Sequence, residues 1–210
     1  YARNFTNSLE RGRRAVCNFG IEYETFTDPR DGQIYKTIRL KDGQTWMAEN
    51  LAWLPEVCGS DAECGYWVYD YEGTDEVAAA ATANYTSYGV LYNFETALTA
   101  CPAGWHLPTD YEWSVLEVHL GMSIQQTLGT GIRGTNHGSK MKETGTIHWE
   151  APNSDATNIS GFTALPGGSR NFSGQDFQGL GTIGNFWSST QEGNFANYRY
   201  LFSGIAGVGN

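Results

Sequence analysis

Glycine interrupts this sequence too often for long regular elements to form. There are 26 glycines among 210 residues, and beyond Gly121 they divide the chain into short segments at 161–168, 184–190 and 198–202. Seven tryptophans and twelve tyrosines accompany them, whereas charged residues make up only 17% of the chain. Such a composition is typical of short strands joined by aromatic-rich turns rather than of long surface helices. It predicts a loop-rich α+β domain.

The size and charge of the chain limit its organisation and its partners. A chain of 210 residues with 40% hydrophobic residues can bury one full core and does not require a second domain. The formal charge of −10 argues against binding to a phosphate backbone, which depends on clustered Lys and Arg. No stretch approaches the ~18 apolar residues of a membrane span. We therefore expect no nucleic-acid partner and no membrane span.

The chain divides into a lead-in segment over 1–24 and one domain over 25–210. Residues 1–16 have a weak helical periodicity, with Phe5 and Leu9 opposite several arginines. These arginines are either a docking arm or a solvated helix face, and we favour the solvated face. The domain opens with a predicted hairpin, in which residues 33–40 alternate as a half-buried strand and residues 44–48 form the return strand.

Two helices are predicted between residues 90 and 121. The first carries apolar residues at helical spacing, at Val90, Phe94, Ala97 and Leu98, and stops at Cys101-Pro102. The second begins after Thr109, whose hydroxyl caps the first turn while Glu112 reaches back to complete a capping box. Its buried stripe consists of Trp113, Leu116 and Leu120, and Gly121 ends it.

The four cysteines, at positions 17, 58, 64 and 101, bear on the redox compartment. Cys58 and Cys64 enclose five residues rich in turn formers, which is a comfortable loop for a disulfide. The paired Cys-x-x-Cys spacing of a zinc site is absent. We predict a Cys58–Cys64 disulfide, which favours an oxidising compartment. Two free structural thiols are the alternative.

Four blocks of sequence occur in a fixed order between residues 28 and 202. They are DGQIYKT (31–37) with QTWMAENL (44–51), YG through YN (88–93), CPAGWHLPT (101–109), and GFTALPGG (161–168) with FWSST (186–190). In this order the blocks resemble the Fibrobacter succinogenes major paralogous domain family, which is common in secreted and surface proteins. The ordered combination is specific, whereas any single block would be weaker evidence.

The resemblance implies a C-type-lectin-like fold, with two helices packed on a small, twisted antiparallel sheet and with long loops that present a ligand surface. The element from Leu107 to Trp113 is also similar to a motif of formylglycine-generating, sulfatase-modifying domains. Members of the family usually continue past the equivalent of Asn210 into a last strand with a Ser-Val-Arg-Cys-like motif, whose cysteine would be the partner of Cys101. That strand does not follow here. Either the domain is truncated, or Cys101 pairs with Cys17, or it stays reduced; among these we favour a Cys17–Cys101 bridge.

Nothing in the sequence points to an active site. The sulfatase-modifying relatives use a reactive cysteine pair late in the domain, and no cysteine follows Cys101. The four histidines form no His-Glu-x-x-His helix, and His106 is interpreted as a structural histidine. No Gly-x-Ser-x-Gly elbow occurs. We expect no catalysis, although two acids on loops could still converge as a glycosidase pair.

The binding hypothesis rests on the last forty residues, which interleave aromatic rings with amide and guanidinium groups. Rings supply rigid contact area and amides supply hydrogen bonds, so this mixture suits recognition of proteins or glycans. The predicted ligand-binding residues are Arg170, Asn171, Phe172, Asp176, Phe177, Asn185, Asn194, Asn197, Tyr198 and Tyr200. Phe162 and Trp187 are instead expected in the core.

We predict no cofactor. Asn153, Asp155 and Asn158 carry oxygens that could bind calcium, as in several C-type-lectin-like domains, but we favour their interpretation as solvated turn residues. The expected function is that of a non-catalytic, secreted or cell-surface module that binds a protein or glycan through its C-terminal loops. The alternative is a structural subunit of a surface filament or sheath that self-assembles through the N-terminal segment.

Overall fold

The computed structural model describes residues 21–40, 43–59, 64–171 and 176–210. These residues form an α+β domain, as predicted. Its strands are β1 (Glu24–Thr27), β2 (Ile34–Arg39), β3 (Thr45–Met47), β4 (Tyr66–Trp67), β5 (Leu91–Tyr92), β6 (Ile132–Arg133), β7 (Gly167–Arg170), β8 (Phe177–Leu180), β9 (Ile183–Glu192), β10 (Phe195–Phe202) and β11 (Val208–Gly209). Its helices are α1 (Glu76–Ala80), α2 (Ala83–Tyr88), α3 (Phe94–Ala100), α4 (Asp110–His119), α5 (Ile124–Thr127) and α6 (His137–Met141). The predicted helix and basic cluster at 1–16 lie outside the described residues.

The strands form three sheets, not the single small sheet that the resemblance implied. Strands β1, β2 and β3 form one antiparallel sheet in that order, and β4 and β5 form another. The largest sheet has the order β6-β11-β10-β9-β7-β8, and its pairs are antiparallel except for β7 with β9. Several sheets with short helices between them replace the two helices on one sheet, because glycine-rich turns reverse the chain so often.

The predicted hairpin is present as β2 and β3. Ile38 lies directly opposite Trp46 in the strand register, and both side chains are buried. Such cross-strand pairs stabilise a sheet and fix its register. The hydroxyl of Tyr35, on β2, accepts a hydrogen bond from the backbone N–H of Ala52 at 3.0 Å and so attaches the segment after β3. Burial raises the pKa of Tyr35 to about 12.

Helix α4 begins as its capping box predicts. Thr109 Oγ1 accepts a hydrogen bond from the backbone N–H of Glu112, and the Glu112 carboxylate accepts one from the backbone N–H of Thr109 at 2.8 Å. This reciprocal pair satisfies two backbone donors that a helix N-terminus leaves free. The three residues of the predicted stripe, Trp113, Leu116 and Leu120, are all buried.

Helix α3 is shorter than its sequence pattern suggested. It begins after Asn93, whose side chain accepts a hydrogen bond from the backbone N–H of Thr96. Val90 therefore precedes the helix, because the two residues after it pair with β4 as strand β5. Leu98 lies within the helix, as its spacing predicted, but its side chain is 41% exposed. A pairing with a distant strand outweighed the local helical spacing.

One hydrophobic core joins the three-stranded sheet, α4 and the six-stranded sheet. Its larger members are Ile38, Trp46, Trp113, Leu116, Met141, Trp149, Phe162 and Leu201. Trp149 is completely buried, and its indole N–H donates to the carbonyl oxygen of Ala164 at 2.9 Å. Burying each large apolar side chain contributes about 1.5–3 kcal/mol. No helix in the described ranges is both long enough and apolar enough to cross a bilayer.

Glu117 of α4 forms a buried ion network with two arginines. Its carboxylate accepts two hydrogen bonds from Arg133, both at 2.8 Å, and one from Arg199 Nε at 2.7 Å. Arg199 also donates to Asp110 in the first turn of α4 at 2.5 Å. Glu117, Arg133 and Arg199 are all buried. Because an unpaired charge in the interior costs several kcal/mol, the network holds β6 and β10 against α4.

Lys142, directly after α6, is buried like Arg133 and Arg199. Its ammonium donates to the carbonyl oxygens of Phe202, Ser203 and Ile205 at 3.0, 3.4 and 3.2 Å. Its side chain is completely buried, and this burial lowers its pKa from 10.5 to about 8. Lys142 therefore holds the turn between β10 and β11 in place through three backbone groups.

Candidate ligand-binding cleft

An open cleft of about 1350 Å³ is bordered by β3, β5, α3, β7 and β9. The loops at 104–108 and 162–165 complete its walls. Small-molecule sites usually enclose about 300–1,000 Å³, so this cleft has room for an elongated ligand. Its lining is mainly aromatic and aliphatic, with a small number of amides and charged groups.

The floor of the cleft is part of the hydrophobic core. Trp46, Trp113 and Phe162 all line it, and their rings lie 4.9–5.8 Å apart in tilted or edge-to-face contacts. Phe186 extends this cluster with its ring centroid 5.6 Å from that of Phe162. Aromatic pairs in these geometries hold one another rigidly. Phe162 is buried, as predicted, yet its ring also forms part of the cleft floor.

Trp187 forms a wall of the cleft. Its indole N–H donates to the carbonyl oxygen of Tyr92 at 2.9 Å, and its ring makes edge-to-face contacts with Phe94 and Tyr198. The residue is half-buried, so it is less enclosed than the predicted core position. Hydrogen bonding from the indole leaves the ring face fixed beside the cleft.

The turn between β9 and β10 forms the rim. Asn194 and Phe195 both line the cleft and are exposed, and Phe195 is 80% exposed. Gly193, which precedes them, has φ of 62°, a conformation that glycine adopts without strain. This turn therefore presents a large ring to solvent at the cleft entrance.

Half of the predicted ligand-binding residues line this one cleft. They are Arg170, Asn171, Asn185, Asn194 and Tyr198. Two others contact lining residues, since Phe177 stacks beside Arg170 and Asp176 is hydrogen-bonded to Asn171. The remaining two lie in β10, where Asn197 is half-buried and Tyr200 packs between Tyr198 and Phe202. Phe172 lies outside the described residues. The structure thus places residues of β7, β9 and β10 together, as the sequence pattern suggested.

Arg170 is held between two rings at one end of the cleft. Its guanidinium carbon lies 5.0 Å from the ring centroids of both Trp67 and Phe177, and Nη1 donates to the carbonyl oxygen of Gly59 at 2.5 Å. Burial lowers the pKa of Arg170, although the side chain stays cationic in the ordinary pH range. The stacked geometry fixes the guanidinium and leaves Arg170 poorly suited to move toward a distant ligand.

The charged groups in the cleft lining are mainly acidic. Glu49, Glu95 and Glu112 are the carboxylates, whereas Arg170 is the only arginine or lysine among the described lining residues. Glu49 lies 3.6 Å from Lys36, and Glu112 lies 2.8 Å from His106 Nε2. Burial acts to raise the pKa of Glu112, but hydrogen bonds from Thr109 and His106 outweigh it and lower that pKa. The cleft therefore has a negative electrostatic character.

The Cys58–Cys64 disulfide is present, with the two Cα atoms 5.7 Å apart. Cys101 is a free thiol, half-buried at the edge of the cleft, and the favoured Cys17–Cys101 bridge stays a prediction. Cys17 lies outside the described residues. Burial raises the pKa of Cys101, which keeps the thiol protonated near neutral pH.

Of the residues considered for calcium, Asn153 and Asn158 hydrogen-bond within the fold, but the buried Oδ1 of Asn153 has no hydrogen-bond partner among the described residues. The Asn153 amide donates to the carbonyl oxygens of Glu143 and Gly145, and the Asn158 carbonyl oxygen accepts from the backbone N–H of Thr163. Asp155 is exposed, with φ of 53°. Across the described ranges, no three His, Cys, Asp or Glu side chains are grouped so that they could hold a metal ion.

A second, smaller pocket of about 290 Å³ lies beside β2. His148 Nδ1 is 2.8 Å from the Glu143 carboxylate in this pocket, and the Tyr23 hydroxyl is 3.1 Å from Thr163 Oγ1. These polar groups pair with one another. The pocket therefore offers fewer open hydrogen-bonding groups than its composition suggests.

The binding hypothesis missed the N-terminal half of the cleft. Trp46, Phe94, Trp105 and Leu107 line it but were not predicted as site residues. Their positions within or next to the blocks at 44–51, 88–93 and 101–109 were an available signal. Those blocks were interpreted only as marks of the fold, because no local pattern indicates that segments so far apart converge.

The chain is thus an α+β domain of three sheets with one large, aromatic cleft among its described residues. It belongs to the Fibrobacter succinogenes major domain family, whose model matches residues 42–206. This match confirms the resemblance found in the sequence blocks. No curated protein and no solved structure matches the chain significantly.

Proposed function

We propose that this protein is a non-catalytic binding module and that the cleft is its ligand site. The observation that carries the proposal is the cleft itself, because the half-buried ring of Trp187 and the exposed ring of Phe195 line it above a floor of buried core rings. Monomeric proteins rarely leave large apolar surfaces uncovered, and those that do generally use them for recognition. Arg170, Asn185, Asn194 and Tyr198 add polar groups around this apolar floor.

The chemistry of the lining favours binding over catalysis. The Cys101 thiol has a raised pKa, which makes it a poor nucleophile. Glu112 and His106 are paired with each other, and Glu112 also caps α4. Glu49 accepts a hydrogen bond from the backbone N–H of Lys36 at 2.7 Å. These groups have structural roles, which supports a module without an active site in the cleft.

We further propose that the module is secreted or displayed at the cell surface and that its fold is C-type-lectin-like. The Cys58–Cys64 disulfide supports an oxidising compartment, where such bonds persist. The capped helix α4 packed against a twisted sheet supports the fold assignment. The filament hypothesis depends on residues 1–20, which lie outside the described part of the chain.

The proposal predicts that a rim substitution reduces ligand binding. The full chain would be tested on a glycan array and on a library of random peptides, which represent the two expected ligand classes. Phe195→Ser removes an exposed ring at the entrance, so we expect at least about a tenfold loss of affinity for whichever class binds.

Ile147→Ser is the matched control. Ile147 is 85% exposed and lies outside the cleft lining, so its replacement should leave the affinity unchanged. The proposal is wrong if neither ligand class binds the full chain. It is also wrong if a ligand binds equally well to both variants and to the unsubstituted chain.

A further inference from the structure

Strand β3 leaves one edge unpaired in the cleft. It is the last strand of its sheet, since β2 pairs with it on one side and the described residues contain no partner on the other. Thr45 and Met47 both line the cleft. A free strand edge is a template for a further strand, because its N–H and C=O groups are already spaced for a ladder.

The strand register shows which backbone groups are open. Leu40 donates to the carbonyl oxygen of Gln44, and Ala48 donates to that of Lys36. Hydrogen-bonded and non-hydrogen-bonded pairs alternate along an antiparallel ladder. The intervening pairs Arg39–Thr45 and Thr37–Met47 are therefore non-hydrogen-bonded. The backbone N–H and C=O groups of Thr45 and Met47 therefore point away from β2. Among the described residues these four groups have no hydrogen-bond partner.

The opposite wall of the cleft does not offer a comparable edge. On β9, the carbonyl oxygen of Trp187 accepts from the Trp113 indole at 3.2 Å, and the N–H of Ser189 donates to Pro108 at 2.8 Å. These groups are satisfied by α4 and the loop before it. A chain entering the cleft would therefore pair with β3.

The charges around this edge select the chemistry of the occupant. Glu49 lies two residues beyond β3, and Glu95 and Glu112 line other parts of the cleft. Opposing them are the guanidinium of Arg170, which is stacked between two rings, and the ammonium of Lys36, which lies 3.6 Å from Glu49. An occupant that carries Lys or Arg matches this distribution, and an acidic one is repelled.

We propose that the cleft binds an extended, basic polypeptide segment that adds as a strand to the outer edge of β3. This inference rests on the proposed binding function and names its ligand class. Alternate side chains of the added strand would pack on the aromatic floor, since residues two apart lie about 7 Å apart on one face. A glycan could stack on the rings, but its hydroxyls do not repeat at the spacing of a strand ladder, as the N–H and C=O groups of a polypeptide do.

Proline substitution tests the edge directly. Thr45→Pro removes an outward N–H and places a ring where the added strand would lie, but it leaves the pairing of β2 with β3 intact. Thr25→Pro is the matched control. Thr25 is an exposed threonine on β1, at the other edge of the same sheet. Its register partner Lys36 forms its backbone hydrogen bond on the side of β3, so the N–H of Thr25 also points away from β2. Thr25 does not line the cleft.

The full chain and both variants would be panned against a phage library of random peptides about ten residues long, which is enough to span one strand. We expect enrichment of peptides with alternating apolar residues and added Lys or Arg on the unsubstituted chain and on Thr25→Pro. A synthetic peptide of the enriched sequence should bind Thr45→Pro about tenfold more weakly, since one hydrogen bond and its neighbours are lost.

Thermal unfolding of the two variants controls for folding, and their Tm values should agree within about 2–4 °C. If Thr45→Pro alone fails to fold, the double variant Glu49→Gln and Glu95→Gln replaces it in the test. This double variant should bind the basic peptide with lower affinity than the unsubstituted chain. Equal peptide binding to Thr45→Pro and the unsubstituted chain would overturn the strand-addition inference. Binding on a glycan array without any peptide enrichment would also overturn it but would leave the binding function standing. If neither class binds, both proposals fail.

Discussion

Two consecutive residues of β10 belong to opposite environments in this protein. Arg199 is completely buried and pairs with Glu117 and Asp110, whereas Tyr198 is 40% exposed and lines the cleft. Successive side chains of a strand point to opposite faces, so β10 separates the charged interior from the cleft. The buried charged groups that stabilise the fold and the exposed groups available for recognition are therefore distinct, although the same strand carries both.

The two regions also differ in how their polar groups are satisfied. In the interior, charged side chains are held by several partners each, as for Glu117, which accepts three hydrogen bonds. In the cleft, the outward backbone groups of Thr45 and Met47 have no partner among the described residues. Substitutions should therefore affect stability strongly in the interior and weakly at exposed positions of the cleft.

The largest effect is expected for Glu117→Gln. The substitution keeps the size of the side chain but removes the negative charge that faces Arg133 and Arg199, and breaking a buried ion pair typically costs about 3–5 kcal/mol. We expect a loss of that size in the free energy of unfolding, measured by urea denaturation. Glu95→Gln, on the cleft side, should change it by no more than about 0.5 kcal/mol. Equal losses for the two variants would contradict the division between interior and cleft.

A smaller, pH-dependent loss in the free energy of unfolding is expected for Lys142→Met. Three carbonyl oxygens lose their donor, which costs about 1–3 kcal/mol near pH 7. The folded-state pKa of Lys142 is about 8 and its ordinary value is 10.5. Between these values the unfolded chain binds more protons, so this lysine makes the free energy of unfolding of the unsubstituted protein rise with pH.

The stability difference between the unsubstituted protein and Lys142→Met should therefore grow as the pH rises from about 8 to 10.5. Denaturation curves at several pH values measure it. Lys36→Met is the control, because the Lys36 side chain is largely exposed and its removal leaves no buried carbonyl oxygen without a donor. A Lys142→Met difference that shrinks over this window would show that burial does not depress the lysine pKa.

Local sequence patterns predicted the parts of the fold that local interactions determine. Thr109, Glu112 and Trp113 fixed the start of α4 because a capping box involves residues three apart. The β2–β3 hairpin followed from alternation over adjacent segments. The Glu117–Arg199 pair was missed, since its members are separated by 82 residues. A signal was nevertheless present, because Glu117 lies in the stripe formed by Trp113, Leu116 and Leu120.

The candidate site was predictable in composition but not in extent. The residues of β7, β9 and β10 were recognised because rings and amides alternate there. The part of the site formed by β3 was not, since an open strand edge is a property of the backbone and depends on which strands pair elsewhere. A free thiol at Cys101 was one of three outcomes that the sequence left open, because pairing depends on Cα distances that sequence spacing does not determine.

The smallest effect on stability is expected at the cleft rim, for Phe195→Ser. The Phe195 side chain is 80% exposed, so its loss should change the free energy of unfolding by less than about 0.5 kcal/mol, even though it should weaken ligand binding. Leu201→Ala on the same strand is the matched comparison. Leu201 is 1% exposed within the core, and its truncation should cost about 2–5 kcal/mol. Urea denaturation of both variants measures the contrast. A comparable loss for Phe195→Ser would mean that the rim ring supports the fold, and Phe195 would then belong to the stabilising core rather than to a surface kept open for a ligand.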